Sequence, residues 1–286
     1  MYKINKLKKE DWPAGLFEIP QPPTQLYIRG DLPPKENIHL AIVGTRRCSS
    51  YGKDVCEKLI AGLKGYPITI VSGLATGIDT FAHKYAMQNN LPTIAVPGSG
   101  LDEIALFPKP NIPLAREIEK HGCLLSEFEP EFKATQYSFP QRNRIVAGMC
   151  KAVLVVEAPE KSGALITARM AVDYNRDVLA VPGQIFAPNA SGTNRLIRQG
   201  ATPITCAQDL LEALGFDLPD DEMKQEKLFA DCSPEENKIL EILLEPTPRD
   251  ELIRALGRPI TETNMLLSAM EIKGMIKEEM GEIRRG

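Results

Sequence analysis

Across the middle of the chain, short runs of β-branched and other apolar residues alternate with helical segments. The runs are continuous and lack polar alternation, so helices are expected to cover both faces of the sheet. This pattern predicts an α/β fold with a doubly wound, mostly parallel sheet, in which ligands lie at the carboxyl ends of the strands. The predicted strands are Leu40–Val43, Ile68–Val71, Thr93–Val96, Cys123–Ser126, Val153–Glu157 and Val178–Val181, with a seventh near Thr202–Thr205. The predicted helices are Gly52–Leu63, Ile78–Gln88, Pro113–Lys120, Asn143–Ala147 and Ala164–Tyr174.

Differences in composition divide the chain into four segments. Residues 1–36 are rich in proline and are predicted to form an extended lead-in across the surface of the next domain. Residues 37–216 contain the alternating pattern and form the main domain. Residues 217–232 are an acidic linker, and residues 233–286 form a separate C-terminal domain.

The last segment has the pattern of a winged helix. Ser233 is a predicted N-cap, followed by Pro234 at the first helical position and Glu236 at the capping-box position. Three helices and a hairpin around Gly281 give the three-helix-and-wing arrangement. The predicted helices are Pro234–Leu244, Arg249–Leu256 and Thr261–Ile272.

The charge of the chain is unevenly distributed. Residues 217–286 hold 17 acidic and 10 basic side chains, so the overall charge of −4 leaves +3 for residues 1–216. A mildly basic main domain permits local anion binding that the whole-chain charge conceals. No apolar run reaches the roughly 18 residues of a membrane span, and no signal-peptide core follows the first residues. We therefore expect a cytoplasmic protein with no membrane partner.

The residues that hold metals and nucleotide cofactors are not arranged for either role. The six cysteines form no Cys-x-x-Cys pair and the three histidines are scattered, so we predict no metal site. The first strand-end loop begins Gly44-Thr45-Arg46-Arg47 and lacks two of the three glycines of a dinucleotide fingerprint. It instead offers two arginines suited to phosphate. No cofactor is predicted.

The second strand-end loop reads Ser72-Gly73-Leu74-Ala75-Thr76-Gly77-Ile78-Asp79 and leads into a helix. A helix N-terminus favours an anion, and Gly73 and Gly77 would let a ligand approach the backbone. Ser72 adds a hydroxyl donor. Asp79 is predicted to be structural, as a cap or an acceptor for loop N–H groups.

Three more loops follow later strands. One reads Pro97-Gly98-Ser99-Gly100-Leu101-Asp102, and a second joins aromatics to arginines in Tyr137-Ser138-Phe139-Pro140-Gln141-Arg142-Asn143-Arg144. Aromatic faces interleaved with cations suit the bases and phosphates of single-stranded nucleic acid. The third contains Ser162 and Gly163 and opens the helix that carries Thr167. Because no catalytic constellation is complete, the five loops predict an extended phosphate-binding edge with no catalytic residue.

Five segments of the chain together resemble the DNA-processing protein A family, also called Smf. They are Gly44–Arg46, Ser72–Asp79, Phe139–Ile145, Ser162–Ala168 and Asn194–Ala201. The resemblance extends from about Trp12 to Leu214, and the C-terminal winged helix resembles one that many members carry. It implies a Rossmann-like, non-enzymatic homodimer that binds incoming single-stranded DNA in natural transformation and loads the RecA recombinase onto it.

The resemblance also implies site residues. The family's basic pocket would include Arg46, with Arg142 and Arg144 nearby and Lys109 and Lys133 as additional candidates. The dimer surface would fall between Asn194 and Ile204, with Leu196 and Ile197 as its apolar residues, and RecA contacts would lie close to it.

Two features depart from the family pattern. Many members begin with a small helical domain, and few residues precede Trp12 here, so we expect that domain to be absent. The third helix of the winged helix contains Glu262 and Glu271 but no basic residue. A helix that reads duplex DNA needs Arg or Lys. This tail is therefore predicted to mediate protein contacts.

Two other functions fit the same fold. The first is a nucleoside-monophosphate phosphoribohydrolase, an enzyme type with a Pro-Gly-Gly-x-Gly-Thr motif. The loop at Pro97–Asp102 lacks the second consecutive glycine and the threonine. The second is a transcription regulator with a ligand-sensing domain, against which the acidic third helix argues.

Overall fold

The computed structural model describes residues 3–217, 233–243, 247–273, 275–279 and 281–285. The chain divides into two compact units, Met1–Leu218 and Pro219–Gly286. The predicted acidic linker, residues 217–232, lies outside the described residues except for Asp217.

The first unit contains strands and helices in the predicted alternation. Its strands are β1 (Asn5–Lys6), β2 (Tyr27–Gly30), β3 (Ile38–Val43), β4 (Ile68–Ser72), β5 (Thr93–Ala95), β6 (Gly122–Ser126), β7 (Ala152–Val155), β8 (Asp177–Ala180) and β9 (Thr202–Pro203). Its α-helices are α1 (Ser50–Ala61), α2 (Ile78–Gln88), α3 (Ile112–Ile118), α4 (Ser138–Met149), α5 (Gly163–Asp173), α6 (Ser191–Arg198) and α7 (Ala207–Ala213).

The strands form one sheet in the order β1-β2-β6-β5-β4-β3-β7-β8-β9. Pairing is parallel from β6 through β9, whereas β2 runs antiparallel to β6 and β1 antiparallel to β2. The order reverses between β3 and β7, because the chain leaves β3 toward β4 on one side and later returns to β7 on the other. The carboxyl ends of β3 and β7 therefore flank the topological switch point, where ligands of such sheets bind. The predicted doubly wound, mostly parallel fold is confirmed.

Side chains of the central strands alternate between two cores, one on each face of the sheet. In β3, Leu40 and Ile42 lie in the core beneath α1, α2 and α7, whereas Ala41 and Val43 lie in the core beneath α4 and α5. A strand covered on both faces needs apolar side chains at every position. This explains why the sequence shows continuous apolar runs.

The N-terminal segment contributes to the core and to the sheet. Trp12, Leu16 and Ile19 are buried against the end of α4, and β2 extends the sheet by pairing with β6. A Cβ on Gly148 of α4 would lie 2.6 Å from Ile19 Cγ2, so the glycine permits this close packing. The structure therefore differs from the predicted surface lead-in: prolines mark its turns, but the apolar residues between them are core residues.

The second unit is a winged helix, as predicted. It contains α8 (Pro234–Ile242), α9 (Arg249–Leu256), α10 (Ile260–Ile272) and the strands β10 (Thr247–Pro248), β11 (Ile276–Glu279) and β12 (Glu282–Arg285). The capping box at the start of α8 is formed: Glu236 N–H donates to Ser233 Oγ at 3.2 Å, and Ser233 N–H donates to Glu236 Oε2 at 2.8 Å. The three short strands pair in the order β10-β12-β11.

Candidate functional site

A cavity of about 430 Å³ opens at the switch point, between the loops that follow β3 and β7 and the start of α4. We call it the crevice. It brings together nine of the predicted site residues with several that were not predicted. The predicted ones are Gly44, Thr45, Arg46, Phe139, Arg142, Asn143, Ser162, Gly163 and Thr167, and the others include Arg47, Lys161 and Asn189.

The exposed cations of the crevice form its outer layer, which consists of Arg46, Arg47 and Lys161. The guanidinium carbon of Arg46 lies 5.1 Å from the centroid of the Phe139 ring, within cation–π range. Phe107 packs against Phe139, with their ring centroids 5.6 Å apart. The outer layer thus presents positive charge next to an aromatic surface.

The start of α5 forms one wall of the crevice. Ser162 caps this helix by accepting the Ala164 N–H at 3.3 Å. No atom would lie within 4 Å of a Cβ on Gly163, so the first turn faces open space. An open helix N-terminus beside Lys161 offers backbone N–H groups and a favourable dipole to an anion.

The start of α1 lies close by, but a carboxylate of the protein already fills it. Glu157, which follows β7, accepts the Ser49 N–H at 2.9 Å and the Ser49 hydroxyl at 2.5 Å. A Cβ on Gly52 would lie 2.4 Å from Glu157 Oε2, so the glycine is needed for this carboxylate to fit. In a dinucleotide-binding fold the helix after the first strand takes the phosphates. Here that position is occupied, and α5 remains as the open anion site.

Behind the outer layer lies an inner layer of buried ionisable residues, Arg142, Asp79 and His83. Arg142 is only 6% exposed. Its Nη1 donates to the carbonyls of Gly73 and Val96, and its Nε donates to Asn143 Oδ1 at 3.0 Å. Burial lowers the pKa of Arg142 to about 10, and Asp79 opposes that shift. The Arg142 guanidinium therefore links the loops that follow β4 and β5 to helix α4.

Asp79 holds the β4–α2 loop in shape. Its Oδ2 accepts the N–H groups of Gly73 at 3.1 Å and Ala75 at 3.2 Å, which confirms the prediction of a structural acceptor. Burial raises the pKa of Asp79, while Arg142 and the two N–H groups act in the opposite direction. His83 is fully buried beside them and bonds Thr93 Oγ1 through Nδ1 at 2.7 Å; burial lowers its pKa to about 3.

Three residues predicted to approach a ligand instead hold the loops together. Ser72 is buried and donates its hydroxyl to the Ile42 carbonyl at 2.6 Å. A Cβ on Gly73 would strike the Arg142 guanidinium. Gly77 has a φ of +81°, and a Cβ there would lie 2.3 Å from the Thr45 carbonyl oxygen. These two glycines allow other segments of the protein to pack closely against the loop.

Arg144 also lies elsewhere than predicted. It forms an ion pair with Glu127 and donates to the Gln21 carbonyl at 2.7 Å, on the side of α4 that faces the N-terminal segment. Since α4 turns by about 100° per residue, Arg142 and Arg144 cannot point in the same direction. Lys109, Lys133 and Tyr137 are exposed but do not line the crevice.

Some of the predicted dimer residues are accessible to a partner, and others are engaged within the chain. Leu196 and Ile197 are half-buried on α6, and Leu196 lines a groove between α5 and α6. Asn194 is engaged within the chain, because its Nδ2 donates to the Gly183 carbonyl at 2.9 Å. Ile204 is 0% exposed and belongs to the core beneath α1, α2 and α7, so it offers no surface to a partner.

Two negative findings apply to the described part of the chain. Within it, no group of three or more His, Cys, Asp or Glu residues is arranged to hold a metal ion. None of its helices is both long and apolar enough to cross a membrane.

The sheet order, the cationic crevice and the C-terminal unit define a Rossmann-like class of protein that carries a winged helix. The family model described as DNA recombination-mediator protein A matches residues 3–215, and the DprA winged helix domain matches residues 224–282. The chain therefore belongs to the DprA family, also called Smf.

Curated relatives and solved structures agree with this assignment. DNA processing protein DprA of Streptococcus pneumoniae is 43% identical over 205 residues, 72% of each chain, and Protein Smf of Escherichia coli is 38% identical over 279 residues, 93% of this chain and 73% of that one. The S. pneumoniae DprA structure has a TM-score of 0.70 at 41% identity and covers 76% of each chain. DNA processing protein A of Helicobacter pylori, described for its single-stranded DNA binding mode, has a TM-score of 0.66 at 30% identity and covers 74% of this chain and 96% of that one.

Proposed function

We propose that the crevice binds single-stranded DNA without regard to sequence. The observation that carries the proposal is the contact between Arg46 and Phe139 beside the open N-terminus of α5. Non-specific single-strand binders combine a positive groove for phosphates with aromatic faces for bases, and the crevice mouth offers both. The family relative from H. pylori, described for single-stranded DNA binding, supports the same function here.

Lys109, Lys133 and Tyr137 extend this proposed surface beyond the crevice. All three are exposed, and Lys109 follows Phe107, the ring that packs against Phe139. A strand that leaves the crevice over Phe107 meets Lys109 next. These residues would then contribute to the length of DNA covered and little to its orientation.

The wider role that we propose is loading of the RecA recombinase onto the bound strand during natural transformation or recombination, in the cytoplasm and without enzymatic turnover. Membership of the DprA family supports this role. Both buried carboxylates near the crevice, Asp79 and Glu157, already accept hydrogen bonds from the protein. Neither is placed as an unengaged general base, which does not favour the phosphoribohydrolase alternative.

We also propose a homodimer through α6. The groove between α5 and α6 is lined by Leu165, Ile166, Val172 and Leu196, and the short edge strand β9 lies beside it. Apolar side chains next to an unpaired sheet edge suit a second copy of the chain. Ile197→Glu should shift sedimentation toward the monomer, whereas Val55→Glu, at a half-buried position on α1, should not. A dimer unaffected by Ile197→Glu would contradict the proposal that α6 forms the interface.

The winged helix is proposed to contact protein and not duplex DNA. Helix α10 has no basic residue and exposes Ile260 and Met265. Of the basic residues described in this unit, Arg249, Arg258 and Lys273 are engaged in ion pairs with glutamates. Duplex binding that weakens on substitution of α10 residues would refute this proposal.

The main test is fluorescence anisotropy with oligo-dT and a matched duplex across a salt series. The wild-type chain should prefer the single strand, and Arg46→Ala should weaken binding about tenfold and reduce the salt slope by about 0.7. Arg116→Ala is the matched control, because Arg116 is an exposed arginine on α3, outside the crevice. Equal weakening by both variants, or no binding by wild type, would reject the proposed function. Release of ribose 5-phosphate from AMP would favour the hydrolase.

A further inference from the structure

A second cavity of about 470 Å³ lies at the same end of the sheet as the crevice, on the face that carries α1. We call it the α1 cavity. It is bounded by the start of α1, the ends of β7 and β8, and the segment that leads into α6. Its lining residues are Ser49, Ser50, Tyr51, Val156, Glu157, Val181, Pro182, Gly183, Gln184, Ala187, Pro188, Asn189, Ala190 and Thr193.

The walls of the α1 cavity are mostly apolar, with one ordered aromatic ring. Tyr51 is 48% exposed, and its hydroxyl donates to the Pro182 carbonyl at 2.9 Å, which fixes the ring across the cavity edge. Val156 and Val181 line the inner side. Cavities of this size with apolar walls and few polar groups are the usual form of a small-ligand site.

The charge of the α1 cavity is opposite to that of the crevice. The crevice presents Arg46, Arg47 and Lys161, whereas no lysine or arginine is among the described residues that line the α1 cavity. Its one ionisable carboxylate, Glu157, also occupies the N-terminus of α1. A phosphate would therefore be repelled, whereas an uncharged ring would not be.

The two cavities share one lining side chain. Asn189 lines both, and its Nδ2 donates to the Arg47 carbonyl at 3.0 Å. The segment before α6 is thereby joined to the loop that carries the outer-layer arginines. The crevice and the α1 cavity therefore lie on either side of Asn189, within reach of neighbouring nucleotides of one strand.

Beside the α1 cavity are two strongly exposed apolar residues. Ile185 is 81% exposed and Phe186 is 91% exposed, and both lie between the lining residues Gln184 and Ala187. An aromatic ring that contacts almost none of its own protein is available to stack on a base. Tyr51 and Phe186 would supply the aromatic surfaces on the two sides of the cavity.

We propose that the α1 cavity binds a nucleobase of the same single strand whose phosphate lies against Arg46, with Phe186 stacking at its mouth. This inference rests on the proposed function and extends the bound strand across the switch point, from the α5 side of the sheet to the α1 side. The base enters where the protein has apolar walls and no cation, and the phosphates stay where it has cations.

The test uses the full chain with Phe186→Ala and Tyr51→Ala, and oligo-dT strands in which one abasic site is placed at each position in turn. Phe186→Ala should weaken oligo-dT binding about fivefold or more and leave the salt slope unchanged, because the lost contact is uncharged. One abasic position should weaken wild-type binding and have no further effect in Phe186→Ala. Tyr51→Phe keeps the ring and should bind nearly as wild type does. Phe17→Ala, at an exposed aromatic in the N-terminal segment, is the matched control.

The outcomes separate this inference from the proposed function. If Arg46→Ala weakens binding while Phe186→Ala and Tyr51→Ala bind within twofold of wild type, the strand does not enter the α1 cavity and only the inference fails. A changed sedimentation coefficient in Phe186→Ala with unchanged DNA affinity would assign Phe186 to a protein interface and also overturn it. If wild type binds no single strand, both proposals fail.

Discussion

Arg46 and Arg142 lie at the same end of the same sheet, and burial gives them different roles. Arg46 is exposed and rests on the Phe139 ring, whereas Arg142 lies beneath the loops and bonds two backbone carbonyls. A buried guanidinium must donate its hydrogen bonds to groups of the protein, because a buried charge without such partners is strongly destabilising. The outer layer is therefore available to a ligand, and the inner layer holds the loops that position it.

Removing the inner-layer arginine should have the largest effect. Arg142→Met would leave the Gly73 and Val96 carbonyls without this donor and Asp79 without its nearby cation. We expect the free energy of unfolding to fall by about 3–5 kcal/mol. Urea denaturation measures it. A loss below about 1 kcal/mol would contradict the inner-layer role, and Arg46→Ala should serve as the unaffected control.

His83 should make the inner layer sensitive to acid. Burial lowers the pKa of His83 to about 3, against an ordinary value of 6.5. Between these two pH values the unfolded chain binds a proton at His83 and the folded chain does not. Stability from this group is complete above pH 6.5 and should fall by about 1.4 kcal/mol per pH unit below it, roughly 2 kcal/mol by pH 5.

His83→Asn is the matched comparison for this pH dependence, because the amide can keep the bond to Thr93 and does not titrate. Its stability should decline less steeply than that of wild type between pH 6.5 and 5, and carboxylates common to both chains cancel in the difference. Parallel pH curves for the two proteins would show that His83 does not titrate as described.

A conservative change in the outer layer should have a smaller effect, on affinity and not on stability. Arg46→Lys keeps the charge but loses the planar group that rests on Phe139. Binding of oligo-dT should weaken about two- to fivefold with an unchanged salt slope, since cation–π contacts at exposed sites contribute about 0.5–1 kcal/mol. Anisotropy at several salt concentrations measures both quantities. An affinity and a salt slope both equal to those of wild type would mean that Arg46 acts through charge alone and would contradict the role of its contact with Phe139.

The smallest effect is expected for Lys161 at the rim. Lys161→Ala removes one exposed cation beside the start of α5 and should weaken oligo-dT binding about twofold, the scale of a surface ion pair. The salt slope should fall slightly. Lys84→Ala on α2 is the control, as another exposed lysine, and identical losses in the two variants would show that position at the crevice has no influence.

Most of the sheet was predictable because each of its central strands is a continuous apolar run in the sequence. The runs at Ile68–Val71 and Leu40–Val43 fall within β4 and β3, since a doubly covered strand needs apolar residues throughout. The winged helix was predictable from its capping box and its hairpin glycine. The lead-in was not, because β2 is four residues long and its pairing partner β6 lies far along the chain.

The location of the site was predictable from the sequence, but the contacts that its side chains make were not. Loops at the carboxyl ends of parallel strands meet by topology, so Arg46, Phe139 and Ser162 came together as expected. Whether an arginine is exposed depends on the packing above it, which local sequence does not encode. The motif that contains Arg142 and Arg144 therefore suggested DNA contacts for both. Asn189 was not predicted as a site residue, because it belongs to an irregular segment before α6.

The pairing of β2 with β6 has a consequence for how the protein is made. Tyr27 lies opposite Ser126, so the strand synthesised early must wait for about 100 further residues before its partner leaves the ribosome. At typical rates of about 5–20 residues per second, that delay is roughly 5–20 s. During it, Trp12, Leu16 and Ile19 have no core to enter, because α4 is made later still. The nascent chain should therefore present an apolar N-terminal segment to chaperones until the middle of the sheet has emerged.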